Sequence, residues 1–210
     1  PDIAALLQGK PAATAASALA SLGARETIPD LLRLVEDPSV LVRLAVANAL
    51  CTLGSRAGVP ALLQKCADLR WPIREGTSNV SVGKSPGILN ALRQPELWKR
   101  LKGTAVTPDL RSTRKANLER IAKAAGLSLD WSPSVQPDLD GWILGRRLRP
   151  QGIRGWTFLD ELQHDLRGRW VGSRSPRYEA VLEPDRIRIL TSDEALQFWT
   201  GWWKSEQEKK

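Results

Sequence analysis

The sequence predicts an α+β protein in which an N-terminal α-solenoid of stacked helix pairs is followed by a small βαβ-type α/β domain with a C-terminal helix. Three observations lead to this fold class. A twelve-residue segment recurs 31 positions later, strand-like alternation appears after residue 104, and eight of the nine tryptophans follow residue 94. We therefore expect a repeat array at residues 1–94, a linker at 95–103 and the second domain at 104–210.

The internal repeat is the most informative feature of the chain. Residues 21–32, SLGARETIPDLL, and residues 52–63, TLGSRAGVPALL, are identical at six of twelve positions. Self-similarity at this period is typical of stacked helical repeats, in which each unit buries its apolar face only against its neighbours. Apolar residues spaced three or four apart around the matched segments predict a pair of helices in each repeat.

Glycine and proline positions agree with this period. Gly23 and Gly54 follow the second helix of each pair, where a left-handed residue commonly ends a helix. Pro38 can open the next helix because the N–H that proline lacks has no partner in the first turn. We expect Asp37 to cap that helix.

The repeat resembles the HEAT-repeat family, especially its short bacterial form. The resemblance covers residues 1–94 and is strongest over 21–68; it implies helix pairs that present a protein-binding surface. Because the flanking copies are incomplete, we expect either further repeats before Pro1 or a cap formed by residues 70–103. The resemblance is carried by Pro29, Leu31, Leu32, Asp37, Pro38, Val42, Arg43, Ala49, Leu50, Leu53 and Gly54.

The second half of the chain reads as two helix-and-strand units. The first has an amphipathic helix that opens near Ser112 or Thr113, ends at Gly126 and leads into an alternating strand through Trp131. The second has a helix that begins at a capping-box pattern, Thr157 to Asp160, and ends at Gly168. Further strands are expected at residues 170–173, 178–182 and 186–190, with Ile187 and Ile189 facing inward and Arg186 and Arg188 outward.

The strings NLERIAKAAGLSLDWSP at 117–133 and WTFLDELQHDLRGRW at 156–170, with the closing hairpin, resemble the short N-terminal domain of secretins and TonB-dependent transducers. The resemblance covers residues 104–191. It implies a small βαβ-type fold in the bacterial cell envelope that acts through protein contacts without catalysis. A cytoplasmic location is the alternative.

Patterns of catalytic or metal-binding residues are weak. His164 is the only histidine, and Cys51 and Cys66 lack the C-x-x-C spacing of zinc or redox sites. We interpret the cysteines as buried thiols, with a disulfide between adjacent helices as the alternative. Val82-Gly83-Lys84-Ser85 lacks the first glycine of a phosphate-binding loop. We therefore predict no catalytic, metal or cofactor-binding residues.

The net charge of +8 and the clustering of arginine with tryptophan leave three interpretations of the second half open. The clusters form a core with a solvated face, a protein-binding patch, or a surface on which nucleic-acid bases or sugars stack. The tryptophans of the C-terminal helix either pack internally or form a contact site. The candidate partner-binding residues are Trp199, Trp202, Trp203, Arg146, Arg147, Arg149, Arg169 and Arg174.

These observations favour a non-enzymatic bacterial scaffold or adaptor that recognises another protein through its helical surface and its tryptophan-rich end. The second hypothesis is a basic module that binds nucleic acid or glycan through arginine- and tryptophan-rich strands. The third is an enzyme of unknown type. An enzyme requires a deep pocket with converging polar groups, whereas a scaffold requires a broad surface.

Overall fold

A computed structural model shows the chain as two compact units. The first comprises Pro1–Arg93 together with Leu196–Lys210, and the second comprises Gln94–Ala195. In the parts of the chain that the structure describes, no helix is both long enough and apolar enough to cross a bilayer. The described residues are 12–68, 85–106, 112–135 and 178–209.

Helices make up most of the described part of the first unit. Its core lies where α1 and α3 pack together, and it includes Ala16, Val46 and Leu50. The alanines of α1 keep that helix thin, which allows the larger residues of α3 to pack closely against it. Short 3₁₀ turns, Arg25–Thr27 and Arg56–Gly58, precede α2 and α4. The helices are α1 (Ala12–Leu22), α2 (Ile28–Leu32), α3 (Val40–Thr52), α4 (Val59–Asp68) and α5 (Ser85–Arg93).

The start of α3 differs from the prediction. The helix begins at Val40 with Ser39 at the N-cap, two residues later than a start at Pro38. Asp37 does not cap it; its carboxylate accepts a hydrogen bond from the Ser39 N–H at 2.8 Å and closes the preceding turn. Arg43 reaches back and donates to the carbonyl oxygens of Asp37 and Pro38 at 2.7 and 3.1 Å. These two hydrogen bonds explain why arginine is suited to position 43.

The second unit contains a three-stranded sheet in the order β1–β3–β2. β1 pairs with β3 in parallel, with Leu129 opposite Ile187, and β2 pairs with β3 in antiparallel fashion. The core is built from Leu101, Leu118, Ile187 and Ile189, all of which are fully buried. The elements are α6 (Pro95–Gly103), α7 (Arg114–Ala124), β1 (Ser128–Trp131), β2 (Tyr178–Leu182) and β3 (Arg186–Thr191).

Several predicted features of this unit are confirmed. Thr113 is the N-cap of α7, where its hydroxyl accepts a hydrogen bond from the Ala116 N–H at 3.2 Å. Gly126 ends the helix with a φ of +71°. Ile187 and Ile189 are buried while Arg186 is exposed, as the alternation indicated. The helix predicted at 157–167 and the strand at 170–173 lie outside the described residues.

Residues 95–103 differ from the predicted linker because they form α6. Leu101 in this helix is fully buried in the core of the second unit. The C-terminal helix α8 spans Ser192–Glu208, and from Leu196 onward it belongs to the first unit. The tertiary structure therefore divides 104–210, which the sequence indicated as one domain, between the two units.

The predicted α+β layout is confirmed in outline. The N-terminal part is helix-rich, and a small sheet and a C-terminal helix follow it. α5 was not predicted, although Ile88, Leu89 and Leu92 have helical spacing. The stacking of the helix pairs into a solenoid stays a prediction.

Candidate interaction surface

The two copies of the repeated segment share the backbone geometry that ends the preceding helix at a glycine. We call residues 22–32 the first turn and residues 53–63 the second turn. Gly23 has a φ of +70° and Gly54 a φ of +89°, a region that only glycine adopts readily. Glycine at these positions therefore follows from the backbone geometry that ends each helix.

The hydrogen bonds at these helix ends also correspond. The Gly23 N–H donates to the Ala20 carbonyl at 3.1 Å and the Ala24 N–H to the Leu19 carbonyl at 3.1 Å. In the second turn the corresponding donors are Gly54 and Ser55, with distances of 3.1 and 2.8 Å to the carbonyls of Cys51 and Leu50. This pair of bonds defines the Schellman motif, in which the last free carbonyls of a helix are satisfied.

Side chains that point inward are equivalent as well. Leu31 and Leu62 occupy the same position in the two turns, and both are completely buried. Each removes an entire leucine side chain from water, which stabilises the fold by about 1.5–3 kcal/mol. The helix-ending glycine and this buried leucine are thus the features that both copies share.

Two other pairs of equivalent leucines differ in exposure between the copies. Leu22 is 80% exposed whereas its counterpart Leu53 is 4% exposed, and Leu32 is 43% exposed whereas Leu63 is 8% exposed. Val40, which follows the first turn, is also exposed, as is its neighbour Leu41. In the described chain, the large exposed apolar side chains therefore belong to the first turn and the helix that follows it.

The arginines at equivalent positions differ in their partners. Arg56 of the second turn forms an ion pair with Glu206 of α8, a contact inside the first unit. Lys209, whose Nζ lies 2.7 Å from a carboxylate oxygen of Glu206, and Arg56 together hold the pKa of Glu206 below its ordinary value. In the described residues, Arg25 of the first turn forms no such ion pair.

Residues 27 and 58, which are equivalent in the two turns, show how tightly each turn packs. Thr27 is buried and its hydroxyl donates to the Ala24 carbonyl at 2.6 Å. At Gly58, a Cβ atom would lie 2.3 Å from the Ala47 carbonyl oxygen and 2.9 Å from the Cys51 sulfur. Only glycine lets the second turn approach α3 this closely.

Cys51 is a buried, free thiol, as the first interpretation of the cysteines predicted. Burial raises its pKa to about 12, against a smaller opposing effect of a hydrogen bond with the Gly58 backbone. Since the thiolate is the reactive form, this cysteine is chemically inert at neutral pH. The side chain of Cys66 lies outside the described residues.

The aromatic residues of α8 form a chain of ring contacts. Trp199 is 3% exposed, and its ring packs edge-on against Phe198 and Trp202 at centroid distances of 5.1 and 5.7 Å. Arg93 lies over the Phe198 ring at 5.0 Å, a cation–π contact. Trp199 therefore packs internally, one of the two alternatives for this helix. Trp202 and Trp203 are half-buried, and their part in partner binding stays a prediction.

The other candidate residues lie outside the described residues: Arg146, Arg147, Arg149, Arg169 and Arg174, as well as His164 and the 82–84 segment. The interpretation of these arginines as a nucleic-acid or glycan surface is therefore untested. In the part of the chain that is described, no cluster of three or more histidine, cysteine or acidic residues could hold a metal ion.

A polar cluster that the residue patterns had not indicated lies at the start of α8. Glu194 accepts hydrogen bonds from the Ser132 hydroxyl at 2.5 Å and from the Thr191 N–H at 2.9 Å. These donors, Ser132 first, lower the pKa of Glu194 to about 2. Thr191 and Glu194 form a capping box, and the T-x-x-E spacing at 191–194 was the signal that could have predicted it.

Residues 6–78 match the sequence model of the HEAT repeats family. The match includes both turns and supports HEAT-like repeats in the N-terminal part of the chain; we call residues 6–78 the HEAT-repeat region. Comparisons with curated proteins and with solved structures gave no match. The resemblance of residues 104–191 to the secretin and TonB short N-terminal domain stays a prediction.

Proposed function

We propose that this chain is a non-enzymatic scaffold or adaptor that binds another protein through its HEAT-repeat region. HEAT repeats are commonly protein-interaction scaffolds, so the match at residues 6–78 supports this class of function. Repeat arrays serve this purpose because a constant framework can carry variable surface residues.

The observation that carries the proposal is the contrast between framework and surface in the two turns. Leu31 and Leu62 are both fully buried, whereas Leu22 and Leu32 are exposed at positions where Leu53 and Leu63 are covered. Exposed apolar side chains that gather in one part of a molecule are typical of protein-contact sites, whereas isolated ones are ordinary surface residues. The first turn is the part of the described surface that best fits a protein contact.

A crosslinking experiment with the full chain tests this function. A photoreactive residue replaces Leu41, which is exposed, and a matched probe replaces Lys102, which is exposed in the second unit. We expect a discrete crosslinked protein partner from the Leu41 position, and its loss when Leu22 and Leu32 are changed to serine. A partner recovered equally from both probe positions, or unaffected by the serine changes, would contradict a role for the HEAT-repeat surface.

A further inference from the structure

Each turn carries a matched outward face. Residues 25–33 are helical throughout, since the 3₁₀ turn leads directly into α2 and Arg33 keeps helical dihedral angles. Positions four and seven apart share one side of a helix. Arg25, Pro29 and Leu32 accordingly form the first-repeat face, and all three are exposed.

The equivalent second-repeat face consists of Arg56, Pro60 and Leu63. Its arginine is paired with the carboxylate of Glu206 on α8, and Leu63 is 8% exposed. The chain thus contains one example of this face in which the arginine receives a carboxylate from a helix; its leucine is buried, and Pro60 is exposed.

The helix that supplies this carboxylate has a simple pattern. Trp202 and Trp203 precede Glu206 by four and three positions, so one side of α8 carries aromatic rings next to a carboxylate. Trp202 and Trp203 are half-buried with a ring-centroid distance of 6.2 Å. An amphipathic helix of this kind offers both a charge for arginine and apolar area for leucine and proline.

We propose that the first-repeat face binds an amphipathic helix of a partner protein, with an aromatic or large aliphatic residue against Leu32 and Pro29 and a carboxylate on Arg25. This inference rests on the proposed scaffold function and specifies the chemistry of the partner. It follows from the equivalence of the two arginines: the first face keeps the arginine that receives a carboxylate from a helix in the second. In the described residues this arginine forms no ion pair, and Leu32 and Pro29 beside it are exposed.

The test uses the full chain and a fluorescein-labelled peptide with the sequence of residues 192–209, which carries four carboxylates and two lysines. Fluorescence anisotropy at low salt measures its binding. We expect saturable binding that Arg25→Glu weakens about two- to tenfold, the range for an exposed charge pair and its reversal. Arg100→Glu in the second unit makes the same change in net charge and should leave binding unchanged.

A charge swap identifies the contact. A peptide with Glu206→Lys should bind the Arg25→Glu chain more tightly than it binds the wild-type chain. Arg25→Gln, which keeps a long polar side chain, gives a smaller loss and replaces Arg25→Glu if circular dichroism shows that the charge reversal alters the fold.

Three results would overturn the inference. They are the absence of saturable binding, equal losses for Arg25→Glu and Arg100→Glu, and a loss for Arg56→Glu alone, which would mean that the peptide only displaces α8 from the second-repeat face. These outcomes leave the scaffold function standing if the Leu41 probe still crosslinks a partner. Loss of that crosslink with intact peptide binding would count against the scaffold function instead.

Discussion

The first and second turns of the HEAT-repeat region share part of their sequence and the backbone geometry at their glycines, but they differ in what surrounds them. Gly23 and Gly54 end their helices with the same pair of hydrogen bonds, and Leu31 and Leu62 are equally buried. Outside this framework, Leu22 is 80% exposed and its counterpart Leu53 is 4% exposed.

The difference shows that a repeat position has two separable properties. Its backbone conformation follows from nearby residues, because a glycine and a few local hydrogen bonds fix it. Its exposure follows from the elements that pack beside it. Leu53 joins the core formed by α1 and α3, whereas the described chain places nothing comparable over Leu22.

The sharpest test of this comparison replaces the two equivalent leucines by alanine. Leu53→Ala should lower the free energy of unfolding by about 2–5 kcal/mol, since it leaves a cavity in the core. Leu22→Ala should change it by less than about 0.5 kcal/mol, as an exposed substitution does. Urea denaturation measures both, and similar losses for the two variants would show that Leu22 is covered in solution.

The next test concerns the close approach of the second turn to α3. Gly58→Ala should cost about 1–3 kcal/mol, because the new methyl group would overlap the Ala47 carbonyl oxygen. Thr27→Ala at the equivalent position should cost about 1 kcal/mol, through loss of the hydroxyl bond to the Ala24 carbonyl. A stable Gly58→Ala chain would mean that the second turn packs less tightly than described.

The third test uses a pair of glycine substitutions that should destabilise the protein equally. Gly23→Ala and Gly54→Ala each force alanine into left-handed backbone, at about 1–2 kcal/mol. Because the two turns share this geometry, the losses should agree closely in thermal unfolding. The matched controls are Gly23→Asn and Gly54→Asn, which should be milder, since asparagine tolerates this conformation. Unequal losses for the two alanine variants would break the equivalence of the turns.

The smallest expected effect is a difference in thermal midpoint between substitutions of Arg25 and Arg56. Arg56→Gln should lower the thermal midpoint slightly at neutral pH, and Arg25→Gln should not. The folded-state pKa of Glu206 is lowered, so its ionised form stabilises the fold above the ordinary glutamate pKa, and this stabilisation disappears as the pH falls through the folded-state value. The difference between the two variants should therefore vanish in acid. Its persistence after Glu206 is protonated would assign the effect to packing.

Local features were predictable from residue patterns. The ends of the helices at Gly23, Gly54 and Gly126, and the cap at Thr113, follow from backbone chemistry within a few residues. The inward isoleucines of β3 follow from alternation. The predicted start of α3 was wrong because an aspartate before proline can either cap a helix or close a turn. Here the Asp37 carboxylate accepts a hydrogen bond from the Ser39 N–H and closes the turn.

Contacts between segments far apart in the chain were harder to predict from the sequence. Residues 95–103 were expected as a linker, yet Leu97 and Leu101 have the spacing of an amphipathic helix and pack with the core of the second unit. The candidate site was predicted from aromatic and arginine content. Of those residues Trp199 is buried, while the part of the others in partner binding stays a prediction. The exposure of Leu22 and Leu32 depends on which elements pack beside them, so residue content could not predict it.

The amino-acid sequence by itself determined the repeat, the glycines that end its helices and the alternation of the strands, because these depend on dihedral preferences and hydrogen bonds between residues close in the chain. The tertiary structure decided which of two equivalent leucines is covered, which of two equivalent arginines has a carboxylate partner, and that most of α8 belongs with the first unit. Those outcomes depend on contacts between segments far apart in the sequence, such as Arg56 and Glu206, and residues with the same local pattern can differ in them.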